Sequence, residues 1–310
     1  SASRLVYTDM KDWTPNNADE EENLLKYSYK GALAKSVNTV AVKVMEEAGI
    51  EETIEFANSL GIESEIPELP SIALGTPSIS LLEMTQAYSA YANLGHKVEP
   101  RFITKITDSN GDVIAEFSSS ESERVMTEET AMMLTEMMRE VVMTGTGNRL
   151  RWKYNLSNNL AGKTGTTQSN ADGWFIGYNP EIVIGVWVGA DDPRVRFRST
   201  SLGSGANTAL PIFGKLFRQI NVDPRLSTIS RARFKNTNEA VREKLSCADI
   251  KEDKNFFQNL LGIKKKEKVK EKKFGEKKKG FFQKMGDLFK KKRKKINHLP
   301  LKLSAPLGTY

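Results

Sequence analysis

The chain has 310 residues, 39% of them hydrophobic, which supports one sizeable core with appendages rather than a string of domains. No apolar run is long enough to cross a bilayer as a helix, residues 1–7 lack the apolar stretch of a signal sequence, and the single cysteine, Cys247, excludes an intrachain disulfide framework. The net charge of +7 is uneven: residues 264–295 hold 17 Lys and Arg against 4 Asp and Glu, so the basic character belongs to the tail and the remainder is mildly acidic.

Residues 8–28 contain Trp13-Thr14-Pro15-Asn16-Asn17 and an acidic run, Asp19 to Glu22, and read as an exposed loop. Val40, Ala41, Val44, Met45 and Ala48 then recur at helical spacing, with Asn38 placed to cap the start and Gly49 to end the helix. A second helix is predicted over 51–60, closed by Gly61. Ser80-Leu81-Leu82-Glu83 is a capping box, and Leu81, Met84, Tyr88 and Tyr91 continue that helix toward Gly95. Extended runs at 102–108 and 112–117 flank Asn110-Gly111 and predict a tight hairpin turn with φ > 0 at both central residues.

Thr127 opens a helix to Gly145 with Leu134, Met137, Met138, Val141 and Val142 on one face, and its methionines Met132, Met133, Met137 and Met138 are expected to fill the core. Three short runs, 160–167, 173–178 and 182–189, separated by turn-rich segments, predict an antiparallel meander. Residues 211–217 begin a closing helix, periodicity weakens after Asp223, and from Ile263 the chain is low-complexity lysine. Helices preceding a meander predict an α+β fold, organised as a main domain over 1–222, a polar extension over 223–262 and a lysine-rich tail over 263–310.

Two short motifs carry chemistry. Lys163-Thr164-Gly165-Thr166-Thr167 lies on a predicted strand where Gly162 and Gly165 leave little side-chain bulk, so that a substrate backbone can pair alongside as an added strand. The ammonium of Lys163 and the hydroxyls of Thr164 and Thr166 would then meet a substrate carboxylate; the plain alternative is an edge strand blunted by a lysine. Ser36-Val37-Asn38 lies 127 residues upstream of Lys163. Residues at i and i+2 do not share a helix face, so Ser36 and Asn38 serve one site only at a helix junction, where a hydroxyl can relay a proton and an amide can hold a carbonyl; the alternative is that Asn38 merely caps a helix.

Together with their flanks these motifs resemble the transpeptidase domain of class A, bifunctional penicillin-binding proteins. The resemblance rests on Gly31 to Val42 around Ser36-Val37-Asn38, on Ile72-Ala73-Leu74-Gly75-Thr76 with Ala92-Asn93-Leu94-Gly95, and on Lys163-Thr164-Gly165-Thr166-Thr167 followed by Asp172-Gly173-Trp174-Phe175-Ile176-Gly177-Tyr178. It runs from about Trp13 to Phe217 and implies a penicillin-binding or serine β-lactamase-like fold, an antiparallel sheet flanked by helices. It also implies serine acyl transfer on peptidoglycan stem peptides ending in D-Ala-D-Ala, with β-lactams as covalent inhibitors and no cofactor or metal. Ser36 would pass the proton toward the leaving amine, Asn38 would bind substrate, and Lys163 would hold the terminal carboxylate. Thr164, Gly165, Thr166 and Thr167 would line the substrate strand, with the Thr166 N–H in the oxyanion hole.

One departure is plain: no serine in the chain has lysine three positions on, the pattern that supplies the family's nucleophile and its base. Only 35 residues precede Ser36, so the sequence is expected to begin inside a longer protein whose upstream part carries the nucleophile, the glycosyltransferase domain and the anchor to the inner membrane, with this domain on the periplasmic side. The 310 residues alone are expected to be inactive. A water-activating Glu-x-x-Leu-Asn segment of the commonest β-lactamases is absent, and the two histidines, His96 and His298, offer neither a triad nor a zinc site. A penicillin-fold binding module without a nucleophile remains the alternative from another functional class. In the tail, Phe281, Phe282, Met285, Leu288 and Phe289 form a helical stripe amid lysines; a disordered, solvated tail is the first expectation, an anionic membrane surface the second, and nucleic acid is not expected.

Overall fold

The computed structural model describes residues 15–17, 27–118, 122–237 and 239–245. The lysine-rich stretch, its apolar stripe and the acidic run at 19–22 lie outside the described residues. Helix α1 (Tyr29–Lys35) starts where the Ser28 hydroxyl accepts from the Gly31 N–H, and ends at Ser36. Helix α2 (Asn38–Ala48) follows almost at once, and α3 (Ile50–Ser59) continues beyond Gly49. The predicted capping box opens α4 (Leu81–Ala92), with Ser80 and Glu83 each accepting from the other's backbone N–H. The hairpin strands are β1 (Lys105–Thr107) and β2 (Val113–Glu116). Helix α5 (Glu128–Met143) is capped by Thr127 and buries all four of its predicted core methionines.

After the short α6 (Arg149–Trp152) come β3 (Ala161–Thr166), β4 (Gly173–Asn179) and β5 (Ile182–Val188), paired antiparallel in the order β3-β4-β5, as the meander pattern predicts. The remaining helices are α7 (Thr200–Gly203), α8 (Ala209–Val222), α9 (Ser227–Arg231) and α10 (Glu239–Lys244). Helix α8 packs on one face of the sheet, against β4 and β5, while on the other α4 packs against β4 and β5 and α5 against β3. The central strand β4 is therefore buried almost throughout and reads as a near-continuous apolar run. Phe175 meets Phe213 of α8 edge-on at 4.9 Å on one face; on the other, the Tyr178 hydroxyl bonds Thr135 of α5 at 3.1 Å and its ring meets Tyr88 of α4 at 6.2 Å. Full burial of each such ring contributes about 2–3 kcal/mol, which makes this three-layer stack the framework on which β3 rests.

Three local expectations are corrected. Asn38 does not cap α2: the cap position is Val37, which offers no acceptor, and the Asn38 amide instead donates to the Asn16 carbonyl at 2.7 Å. The acceptor comes from far upstream, where Asn17 Oδ1 takes the Thr39 N–H at 3.0 Å while its Nδ2 donates to Thr39 Oγ1 at 3.2 Å. Residues 15–17 are thus pinned to α2 rather than looping freely, and Pro15 and Asn17 are buried. In the hairpin, only Gly111 of the Asn110-Gly111 pair has positive φ (91°). The Asp108 carboxylate accepts from the N–H groups of both Asn110 and Asp112 and holds a wider turn, with a register shift at Ile106 and Thr107 that shortens the strands.

The sequence pattern ends the main domain at residue 222. Beyond it the chain folds back: Asp223 caps the turn Pro224–Leu226, Ile229 accepts from the Asn179 amide at 2.7 Å, Phe234 meets Tyr178 at 5.6 Å, and Val241 is fully buried against Met133. These contacts are tertiary, between residues with no shared periodicity, so the sequence pattern had no way to report them.

Candidate active site

Strand β3 is an edge strand of the sheet, bonded among the described residues only to β4. Its burial falls along its length: Ala161 and Gly162 are buried, Lys163 is half-buried, and Thr166 is exposed. Against its inner part stands α5, and against α5 stands α1, so that the α1–α2 corner is carried to the lysine. Lys163 Nζ donates to Ser36 Oγ at 2.8 Å, across 127 residues of sequence, and to the Thr164 carbonyl at 2.8 Å. An ammonium has three donors, so two are committed here and one remains for a ligand. Desolvation among the packed strands pulls the Lys163 pKa down from 10.5 to about 8.

Ser36 closes α1 in the left-handed region, φ 61° and ψ 46°, and its N–H and that of Val37 return to the carbonyls of Leu33 and Ala32. A helix end of this shape is ordinarily glycine, because a Cβ there costs about 1–2 kcal/mol. The side chain kept at that position is the one that accepts the hydrogen bond of Lys163.

The expected substrate residues divide by their place along the strand, Thr164 lying inside it and Thr166 at its end. The Thr164 hydroxyl, expected to face a ligand, is turned inward and buried, bonded to Thr146 Oγ1 at 2.6 Å. Thr166 lies at the exposed end, with its Oγ1 accepting from the Gly205 N–H at 3.0 Å. Thr167 Oγ1 accepts from the Asp172 N–H at 3.0 Å and fixes the turn into β4. Gly165 packs against Trp174, and Gly162, read as leaving an open face, is instead closed in by β4, where a Cβ would lie 2.6 Å from the Ile176 carbonyl oxygen. Asn38 sits at the same corner as Ser36, with one amide hydrogen used on Asn16.

The residue that sequence reasoning missed is Thr146, in the loop Thr144-Gly145-Thr146-Gly147 after α5. Its N–H donates to the Ala34 carbonyl of α1 at 3.0 Å while its hydroxyl holds Thr164 of β3, so one residue ties the serine corner to the lysine strand. The sequence showed only two glycines at a helix end, the usual mark of a stop signal. A cavity of about 370 Å³ lined by Glu99, Arg101, Ile103 and Phe117 lies beside the hairpin and contains none of these residues.

The family model described as the penicillin binding protein transpeptidase domain matches residues 3–216. Penicillin-binding protein 1A of Aquifex aeolicus is 41% identical over 221 residues, covering 69% of this chain and 28% of that protein. Penicillin-binding protein 1A of Pseudomonas aeruginosa is 32% identical over 254 residues, covering 66% and 30%. The chain therefore spans less than a third of these curated relatives. The crystal structure of penicillin-binding protein 1A from Haemophilus influenzae superposes with a TM-score of 0.63 at 23% identity, over 76% of this chain and 39% of that one, which establishes the shared fold. Fold, motif order and family match agree: the chain belongs to the penicillin-binding protein transpeptidase domain family, in its class A branch.

Proposed function

We propose that this chain forms part of the active site of a serine-type peptidoglycan D,D-transpeptidase that β-lactams acylate. The observation that carries the reading is the 2.8 Å bond from Lys163 Nζ to Ser36 Oγ, which brings the two motifs into contact. In the reaction, a serine oxygen bonds to the penultimate D-Ala carbonyl of a stem peptide, the C–N bond breaks, and the terminal D-Ala leaves as an amine that has gained a proton. The amine of a neighbouring peptide then attacks the ester, forming the crosslinking amide and returning a proton to the serine. Ser36 relays the proton to the leaving amine, Lys163 orients Ser36 and receives the substrate's terminal carboxylate, and the Thr166 N–H stabilises the oxyanion.

The reading requires the attacking serine and its lysine from sequence outside these 310 residues, since no Ser-x-x-Lys occurs within them. It places the reaction on the periplasmic face of the cytoplasmic membrane, where the stem peptides are. Incubating the full-length gene product with fluorescent penicillin should give one covalent label, stable to denaturation and blocked by unlabelled penicillin. Binding of a D-Ala-D-Ala peptide without any covalent label would select the binding-module reading instead.

Ser36→Gly separates strain from function. Glycine adopts φ 61° without Cβ strain, but it loses more chain entropy on folding and leaves the desolvated Lys163 ammonium without its acceptor, at about 1–3 kcal/mol, so stability should stay level or fall by about 1 kcal/mol. Its acylation by penicillin should fall by about 10²-fold or more, because the proton relay is gone. Thermal melts and labelling kinetics on one preparation check both; a variant that keeps the full acylation rate would contradict the assignment.

A further inference from the structure

Beyond the reacting end of the substrate, we infer that Arg196 and Arg198 form an anion-binding subsite that recognises a carboxylate carried further along the same peptide. The inference rests on the reading of β3 as the strand that receives that peptide. A terminal carboxylate held at Lys163 leaves the rest of the peptide one open direction, because Ala161 and Gly162 are buried while Thr166 is exposed. At about 3.3 Å per residue, four residues carry an extended chain some 13 Å, from Lys163 to the level of Thr167 and the turn that follows.

The loop with the arginines is fastened at that end. The Phe197 N–H, between the two, donates to the carbonyl of Asn170 in the β3–β4 turn at 3.1 Å. The Gly205 N–H donates to Thr166 Oγ1 at 3.0 Å, and a Cβ on Gly203 would lie 2.6 Å from that of Phe197 and 2.7 Å from that of Asn170. Three backbone segments thus converge so closely that the loop is held against the strand end. Within it, Arg194 is already spent: its guanidinium grips Asp192 with Nε to Oδ1 at 3.0 Å and Nη2 to Oδ2 at 2.6 Å. Arg196 and Arg198 are exposed and make no hydrogen bond or ion pair among the described residues. Flanking an anchored residue, they offer planar, permanently charged donors suited to bidentate capture of a carboxylate.

The test is equilibrium binding by fluorescence anisotropy, which needs no turnover. The probes are two labelled pentapeptides ending in D-Ala-D-Ala, one with free side-chain carboxylates and one with those carboxylates amidated. The proteins are the full chain and its Arg196→Gln/Arg198→Gln variant. The double variant should bind the acidic peptide roughly fivefold more weakly, the upper end expected for a lost exposed charge pair, and the amidated peptide as before. Arg198→Glu should go further, preferring the amidated peptide. Equal losses for both peptides, or no loss for either, would overturn the subsite. Penicillin labelling is read separately: its failure in the unaltered full-length protein would count against the transpeptidase and leave this binding result standing by itself.

Discussion

Lys163→Ala should lower the rate of acylation by penicillin about 10²–10³-fold, the range seen when a preorganised electrostatic donor is removed from a reacting centre. The variant loses the donor to Ser36 Oγ and the positive charge beside it together. Lys163→Arg should recover little, since a planar fork does not fit where a compact ammonium reaches both Ser36 and the Thr164 carbonyl. The pH profile gives a second readout. In the free protein the ammonium titrates at about 8, so affinity for a carboxylate ligand should decline as pH rises through that value in the unaltered protein and stay flat in Lys163→Ala. Stability moves the opposite way. Between about 8 and 10.5 the unfolded chain keeps a proton that the folded one has released, so stability rises with pH across that window, and below it the desolvation penalty is fully present. Denaturant midpoints measured through the window should show this rise and its loss in Lys163→Ala. A variant that keeps both the slope and the acylation rate would remove Lys163 from the site.

How much of this was legible beforehand follows from the range of each signal. The capping box at Ser80 and the meander are local, and the sequence showed both because each is set by residues a few positions apart. The pairing of Ser36 with Lys163 could be named only through the family resemblance, since nothing local links residues 127 apart. The cap of α2 was misassigned because Asn38 occupies a plausible position while Asn17, 22 residues upstream of Thr39, does the work. Thr164 is the more instructive case. A strand places neighbours on opposite faces, so once Lys163 is granted to the cleft, the hydroxyl next to it is turned toward the core. That rule was available from the sequence and, applied, would have asked what polar group waits inside for Thr164.

The answer, Thr146, leads to the second large effect. Gly145→Ala should destabilise the protein by about 3 kcal/mol, because the new Cβ would lie 2.1 Å from the Ala34 carbonyl oxygen and 2.9 Å from the Val141 Cα, both backbone atoms with no rotamer to yield. The strain is relieved only by moving α1 away from the end of α5, and Ala34 is two residues from Ser36, so the serine moves with it. A displacement on the order of 1 Å in a reacting group costs about 10²-fold in rate, and penicillin acylation should fall accordingly. Thr146→Val tests the same tie without the clash: it keeps the shape but leaves the buried Thr164 hydroxyl without its partner, at about 1–3 kcal/mol, and Thr146→Ser should restore what valine loses. Melting temperature and acylation rate, measured for all three, distinguish a tie that positions the site from one that only holds the fold. If Gly145→Ala and Thr146→Val melt early yet acylate normally once folded, the link from α1 to β3 serves stability alone, and Ser36 is held to Lys163 by the remaining packing of α1 on α5.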